Sequence, residues 1–254
     1  MSTAILRVRD LSMRFGGLMA VDGVSLKVEP QEIVSIIGPN GAGKTTVFNC
    51  LTGFYAPTGG SIVFNQQAIQ GLPGYKIARR GMIRTFQHVR LFKEMTVLEN
   101  LMTAQHRHLN TNFLAGLFNT PSYRRAEKNA QEHAVKWLEK VDLLSEANRQ
   151  AGTLAYGQQR RLEIARCMVT RPSLLMLDEP AAGLNPSETE DLKHLILDLR
   201  SNGLSILLIE HDMKLVMTLS DHIYVINQGC PLANGKPDAI RANPDVIKAY
   251  LGEE

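Results

Sequence analysis

Hydrophobic and polar positions change period along this chain, and each change predicts an element. Residues 4–37 read as strands: "ILRVRDLSMRF" and "GVSLKVEP" partly alternate, and "EIVSIIG" is a compact apolar run ending in glycine. A helix is predicted from Gly43 to about Leu51, and "GGSIVFN" is a further strand between turn residues. From Thr96 to Leu144 the chain is rich in Ala, Leu, Glu, Lys and Gln, which favour helix. The middle of that region, "RHLNTNFLAGLFNTPSYRRAEKN", reads as a loop in which Pro121 signals the next helix start. After residue 157 the order is helix, strand ("SLLML"), helix from about Pro186, strand ("SILLIE"), helix, strand ("HIYVIN"). Apolar strands alternating with helices predict an α/β fold with a parallel sheet covered on both faces. The tail "GKPDAIRANPDVIKAYLGEE" reads as short packed helices punctuated by Pro237 and Pro244.

Composition narrows this picture little. The 254 residues are 44% hydrophobic and 21% charged, ordinary for a globular chain with a substantial core. A formal net charge of +3 demands neither a nucleic acid nor an anionic membrane as partner. Cys50, Cys167 and Cys230 are too few and too scattered for a disulfide framework or a metal site. They read as reduced thiols in a cytosolic setting, acting as small buried or half-buried hydrophobes. No apolar run follows a basic start near Met1, so no secretory leader is expected. The longest apolar runs, such as Ile206 to Ile209, are far too short to span a bilayer. If the protein works at a membrane, another chain must anchor it.

Candidate chemistry changes the picture more. Directly after "EIVSII" comes "GPNGAGKTT", Gly38 to Thr46, which fits G-x-x-x-x-G-K-[ST] through Gly38, Gly43, Lys44 and Thr45. Glycines let backbone wrap closely around phosphate oxygens, and the following helix offers free N–H groups and a positive dipole end. Lys44 can reach β- and γ-phosphates, and the Thr45 hydroxyl can join the shell of Mg²⁺. "LLMLDEP" puts Asp178 and Glu179 at the end of a buried strand, where open parallel sheets hold their ligands. Asp178 is placed to hold Mg²⁺ and Glu179 to polarise an attacking water. His211 follows the next apolar strand at the same end, which favours a γ-phosphate contact. Gln87, after a short strand, would by itself be an ordinary polar residue. Phe15 ends the first strand and is core by default, or an adenine-stacking ring beside a nucleotide site.

Taken in this order, the motifs resemble the ATP-binding subunit of an ABC transporter, over essentially the whole chain. The resemblance rests on "GPNGAGKTT" (the P-loop), Gln87, the signature "LAYGQ", "LLMLDEP", "AAGLN" ending at Asn185, and His211. It implies a P-loop NTPase fold with a RecA-like core, an antiparallel β subdomain and a helical subdomain. The core and β subdomain would take 1–86 and 152–236, the helical subdomain 87–151 and the tail 237–254, all within one ABC domain. Longer runs, such as "GLPGYKIARRGMIRTFQHVRLFKEMTVLENL" and "NPDVIKAYLGEE", are similar to the ATPase subunit of high-affinity branched-chain amino acid importers, the one with the G suffix in its operon.

By that resemblance, ATP is held by Phe15 and by Gly38, Pro39, Asn40, Gly41, Ala42, Gly43, Lys44, Thr45 and Thr46. In a head-to-tail dimer, Leu154, Ala155, Tyr156, Gly157, Gln158 and Asn185 face the ATP of a second ATPase subunit, identical or not. Glu179, His211 and Gln87 are the catalytic set, and Thr45, Gln87 and Asp178 hold Mg²⁺. The partners implied are two integral membrane permease subunits and, indirectly, a periplasmic binding protein, with no nucleic acid. The chain would sit at the cytoplasmic face of the inner membrane. The segment "QHVRLFKEMT" resembles the surface that receives a coupling helix.

Two letters depart from the common pattern. Ala155 stands where serine usually donates to the trans γ-phosphate, a charged-acceptor bond of about 1.5–3 kcal/mol, and Tyr156 replaces the first glycine. Asn185 stands where aspartate is common. The ATP facing this signature is therefore expected to be handled differently from the other. The arginines after the signature read as the solvated or interfacial face of its helix. The runner-up cargoes are urea or short amides, or lipopolysaccharide for an export ATPase. A DNA-repair or translation ATPase, or a P-loop kinase, fits the single motif set poorly.

Overall fold

The computed structural model describes residues 4–105 and 120–251. The predicted central loop lies partly on 106–119, outside the described residues. The chain divides into two compact units. The first comprises Met1–Gln87, Ser173–Ala182 and Thr189–Glu254, and the second His88–Pro172 and Gly183–Glu188.

In the first unit, β1 (Leu6–Phe15), β2 (Leu18–Val28), β4 (Gly59–Phe64) and the short β5 (Gln67–Ala68) form an antiparallel sheet in the order β2-β1-β4-β5. Leu6 pairs with Val28 on one side and Phe64 on the other, and Leu6, Val8, Leu11 and Met13 of β1 are buried, the alternation slipping by one where the register shifts between Val8 and Leu11. The second sheet has the order β10-β9-β3-β8-β7-β6. Its strands are β3 (Ile33–Ile37), β6 (Met82–Arg84), β7 (Leu174–Asp178), β8 (Ser205–Ile209), β9 (His222–Asn227) and β10 (Cys230–Gly235). β3, β7 and β8 are buried at every position, as continuous apolar runs in a covered parallel sheet must be. Only β10 runs antiparallel, hairpinned onto β9. The sequence reading missed it because "CPLANG" lacks both alternation and branched residues.

Helix α1 (Lys44–Leu51) follows β3 and buries Val47, Phe48 and Leu51 in a core shared with β1, β2 and β4. Helices α2 (Gly74–Arg79), α7 (Met213–Leu219), α8 (Pro237–Arg241) and α9 (Pro244–Leu251) complete this unit. Ile37, Val216, Ile223, Val225, Ile240 and Val246 make a second apolar cluster under the last three. Helix α6 (Pro186–Ser201) begins in the second unit and ends in the first.

The second unit is helical: α3 (Val97–Gln105), α4 (Pro121–Lys140) and α5 (Tyr156–Met168), with single 3₁₀ turns at Leu144–Glu146 and Ala151–Thr153. Thr96 and Glu99 bond each other's backbone N–H at 3.1 and 2.7 Å, a reciprocal cap on α3. Thr120 caps α4, accepting from the Tyr123 N–H, with Pro121 in the first turn. Ala130, Ala134 and Leu138, four residues apart, are its buried stripe. The Gln105 side chain ties α3 to α4 by donating to the Ala130 carbonyl at 2.9 Å.

Two expectations need correction. Arg160 is not on a solvated face: its side chain is 1% exposed and pairs with the equally buried Glu163 at 2.8 Å. The i,i+3 spacing puts both on the face of α5 that packs inward, where a cation is tolerated only with its carboxylate beside it. Arg161, half-buried, is 3.7 Å from Asp142. Among the cysteines, Cys50 and Cys167 are buried, but Cys230 is exposed at the start of the edge strand β10.

Candidate functional site

The P-loop sits between fully buried β3 and α1 and is shaped by contacts that only glycine permits. A Cβ on Gly38 would fall 2.0 Å from the Ile226 carbonyl oxygen, and one on Gly43, at φ +97°, 2.6 Å from that of Ala20. No side chain caps α1, so its first N–H groups are left for an anion. The loop carbonyls of Gly38 and Pro39 instead accept from the Lys44 ammonium at 2.6 and 2.9 Å. Burial lowers the Lys44 pKa, while the charges of Glu179 and Asp178 oppose that shift. A cavity of about 430 Å³ opens over this loop. Its wall is the loop from Asn40 to Thr46, Leu18 to Ala20 of β2, Glu179, and Gln228 and Gly229 of the β9–β10 turn. Phe15 stands 39% exposed at the end of β1 with its ring edge on Tyr55, centroids 5.1 Å apart.

The carboxylates at the end of β7 have different partners. Asp178 is buried, and its Oδ2 accepts from Arg84 at 2.6 Å. The Arg84 guanidinium also donates to Asn49 at 2.7 Å and lies over the rings of Phe48 and Phe86. Glu179 adopts φ +45°, an uncommon backbone for a non-glycine residue that turns its side chain out of the strand pleat. Its Oε2 accepts from Gln87 Nε2 at 3.0 Å and lies 3.8 Å from His211 Nδ1. The structure thus brings Gln87, Glu179 and His211 together, with Glu179 reaching the cavity over the P-loop.

Sequence reasoning missed two residues here. One is Arg84; its signal was an arginine ending an otherwise apolar strand in "MIRTFQ". The other is Glu210, which is buried and accepts from the N–H groups of Ala181 (2.8 Å), His211 (3.0 Å) and Asp212 (3.4 Å). Burial raises its carboxyl pKa, opposed by those three donors. It links the turn after Glu179 to the His211 turn.

The signature lies in the second unit. Leu154 is buried, and Ala155, at φ −61° and ψ 154°, is the extended residue before α5. Gln158 reaches back to accept from the Ala155 N–H at 3.1 Å. A Cβ on Gly157 would come within 2.3 Å of a Glu188 carboxylate oxygen, and the ring of Tyr156 packs at Gly183. Asn185 and Glu188 bond each other's backbone N–H at 2.9 and 3.0 Å, capping α6 reciprocally. The Asn185 side chain therefore serves as a helix cap within its own chain.

The donor set suits a nucleoside triphosphate: a glycine cradle, one lysine, a threonine at the helix start and two acids at a strand end. Comparison with known proteins agrees. The ABC transporter family matches residues 21–182, and a family described as branched-chain amino acid ATP-binding cassette transporter matches 230–254. Over all 254 residues and the full length of both chains, the protein is 72% identical to the high-affinity branched-chain amino acid transport ATP-binding protein BraF of Pseudomonas aeruginosa. It is 66% identical, again over both full lengths, to the LivG protein of the same description from Escherichia coli. A crystal structure of the ADP conformation of an ATP-binding cassette of an ABC transporter superposes with a TM-score of 0.86 at 35% identity, covering 99% of this chain and 100% of that one. With the P-loop, the paired strand-end acids and the signature helix all in place, the chain belongs to the ATP-binding subunits of ABC transporters, in the group of the branched-chain amino acid transport ATP-binding proteins.

Proposed function

We propose that this chain is the ATP-hydrolysing motor of a branched-chain amino acid importer. It would be held at the inner face of the membrane by two permease subunits and paired with a second ATPase subunit. The observation that carries the chemistry is the meeting of Gln87, Glu179 and His211 beside the P-loop cavity. The cargo rests on the full-length similarity to BraF and LivG.

In this reading the cradle from Gly38 to Thr46 binds the triphosphate, and Lys44 exchanges its loop carbonyls for β- and γ-phosphate oxygens. Mg²⁺, held by Thr45, Gln87 and Asp178, would neutralise phosphate charge. Glu179 orients the attacking water and draws on its proton, and His211 donates to the γ-phosphate. Leu154 to Gln158 and Asn185 face the ATP of the partner ATPase, so closure of the pair follows ATP binding. Because Ala155 has no hydroxyl, backbone N–H groups and the dipole of α5 carry that contact. The segment after Gln87 receives the membrane subunit. The chain acts as one ABC domain; its helical subdomain runs past the expected bound of 151 to take in the signature helix α5, and 237–254 is its tail.

Glu179→Gln tests the motor. The variant should bind ATP and accumulate the closed pair while turnover is lost; turnover at the wild-type rate overturns the assignment. Uptake assays in cells lacking this chain test the cargo. Loss of leucine, isoleucine and valine uptake is expected, whereas selective loss of urea or amide uptake, or of lipopolysaccharide export, replaces it.

A further inference from the structure

Helices α7, α8 and α9 flank an open cleft of about 530 Å³ that the nucleotide chemistry does not use. Its size is that of a small-molecule site. Met213 and Met217 of α7, Ile240 of α8, and Val246, Ile247 and Tyr250 of α9 supply an apolar lining. Ile240 and Val246 are the buried floor, while Ile247 and Tyr250 stay exposed at the mouth. Among the described residues the charged members of the lining are Lys214 and Arg241, both exposed and both cationic, and Glu190, outside the lining, feels the charge of Lys214. Among the described residues neither cation makes an ion pair. The hydroxyl of Thr218, also in the lining, already donates to backbone carbonyls of its own helix.

We propose that this cleft binds a soluble, medium-chain aliphatic carboxylate and couples its binding to the nucleotide site. The apolar wall takes the chain, and Lys214 and Arg241 take the head. The charge pattern discriminates by omission. An amine would meet two like charges, and the ammonium of a zwitterionic amino acid would meet no carboxylate among the described lining residues. Methionines at the wall suit an unbranched or singly branched chain, because they repack around different shapes. Coupling follows from what the walls touch. Helix α7 is capped by Asp212, the residue after His211, and Ile37, the residue before Gly38, packs in one apolar cluster with Val216 of α7 and Ile240 and Val246 of the cleft floor. A ligand wedged between α7 and α9 therefore bears on the His211 turn and on the P-loop together. The site does not depend on the cargo assignment, and its test begins without nucleotide.

The full-length chain is titrated calorimetrically with octanoate, octylamine and leucine. Octanoate should bind, with octylamine and leucine weaker by about tenfold or more, the factor of one charge-assisted hydrogen bond. The double substitution Lys214→Gln/Arg241→Gln should weaken octanoate by a similar factor, and Met217→Trp should fill the cleft and abolish binding. Saturating octanoate should shift ATP affinity about fivefold or more. The two rim substitutions are at exposed positions, so they decide the matter even if Met217→Trp fails to fold. Equal binding of octylamine, or unchanged octanoate affinity in the rim variant, overturns the proposal. So does binding of phospholipid vesicles in place of octanoate, or self-association abolished by Met217→Lys, which would give the cleft to lipid or to a second copy. An ATP affinity indifferent to octanoate overturns the coupling.

Discussion

The Arg160–Glu163 pair offers a sharp test of how the second unit is held together. Glu163 Oε2 lies 2.8 Å from Arg160 Nη1, and Oε1 accepts from the Arg90 N–H at 3.2 Å. Glu163→Gln keeps the shape and an acceptor for Arg90 while removing the charge, so the buried guanidinium loses the Glu163 carboxylate. Breaking a buried pair from one side costs about 3–5 kcal/mol. The retained amide oxygen places this variant at about 3 kcal/mol. At about 2–4 °C per kcal/mol for a chain of this size, the midpoint should fall by roughly 6–12 °C. Urea unfolding followed by the fluorescence of Trp137, the only tryptophan and a residue of α4, reads the affected unit directly. Removing the cation as well, Arg160→Met/Glu163→Gln, should recover to within about 1 kcal/mol of the parent, because no buried charge remains and the Arg90 N–H keeps its acceptor. A loss below about 1 kcal/mol for Glu163→Gln, or a double variant as unstable as the single, refutes the reasoning.

Lys44→Ala should lower ATP affinity by at least about tenfold; unchanged binding by calorimetry contradicts the role given to the loop lysine. Gly157→Ala should swing Glu188 off its cap on Asn185 and cost about 0.5–2 kcal/mol in thermal unfolding; if adding Glu188→Ala leaves the full cost of the Gly157 change in place, the clash is not its cause. An aromatic disulfide reagent at neutral pH should titrate one thiol in the folded chain, Cys230. The thiols of Cys50 and Cys167 are buried, and burial pushes their pKa up to about 11 and about 12, so thiolate appears only well above neutrality. Three rapidly reacting thiols would contradict it. Glu210, whose folded carboxyl pKa is raised, contributes stability below the ordinary carboxylate range that fades as pH rises through the raised value. Stability of the parent minus that of Glu210→Gln, measured by urea unfolding, should decline over that interval, and a rising difference refutes the sign.

What was legible in the sequence was whatever has a local cause. The parallel strands announce themselves as apolar runs, and the P-loop glycines, Asp178 and Glu179 sit at strand ends that the alternation of elements already located. Arg84 and Glu210 escaped because their roles depend on partners far along the chain or across a turn. Arg84 meets Asp178 only when β6 is laid beside β7, and Glu210 meets Ala181 only because β8 neighbours β7. Arg160 was misplaced for a related reason. A charged letter on a helix reads as solvated until its carboxylate is seen under the same face. β10 escaped because an edge strand with no fully buried position carries little apolar signal.

The strand order also sets a timetable for synthesis. The P-loop is complete in sequence by Thr46, yet part of what shapes it comes from the last part of the chain. Gly38 is packed under the Ile226 carbonyl, the Gly229 N–H donates to Ala42 at 3.1 Å, and the Gly229 carbonyl accepts from Asp22 at 2.8 Å. A ribosome adding about 5–20 residues per second spends roughly ten to forty seconds between the first of these partners and the last. During that interval the emerging chain carries a phosphate motif with no cradle to hold it in shape. Nucleotide capture is thereby postponed until nearly the whole chain has been made, so a prematurely terminated product would not hold a phosphate in this loop.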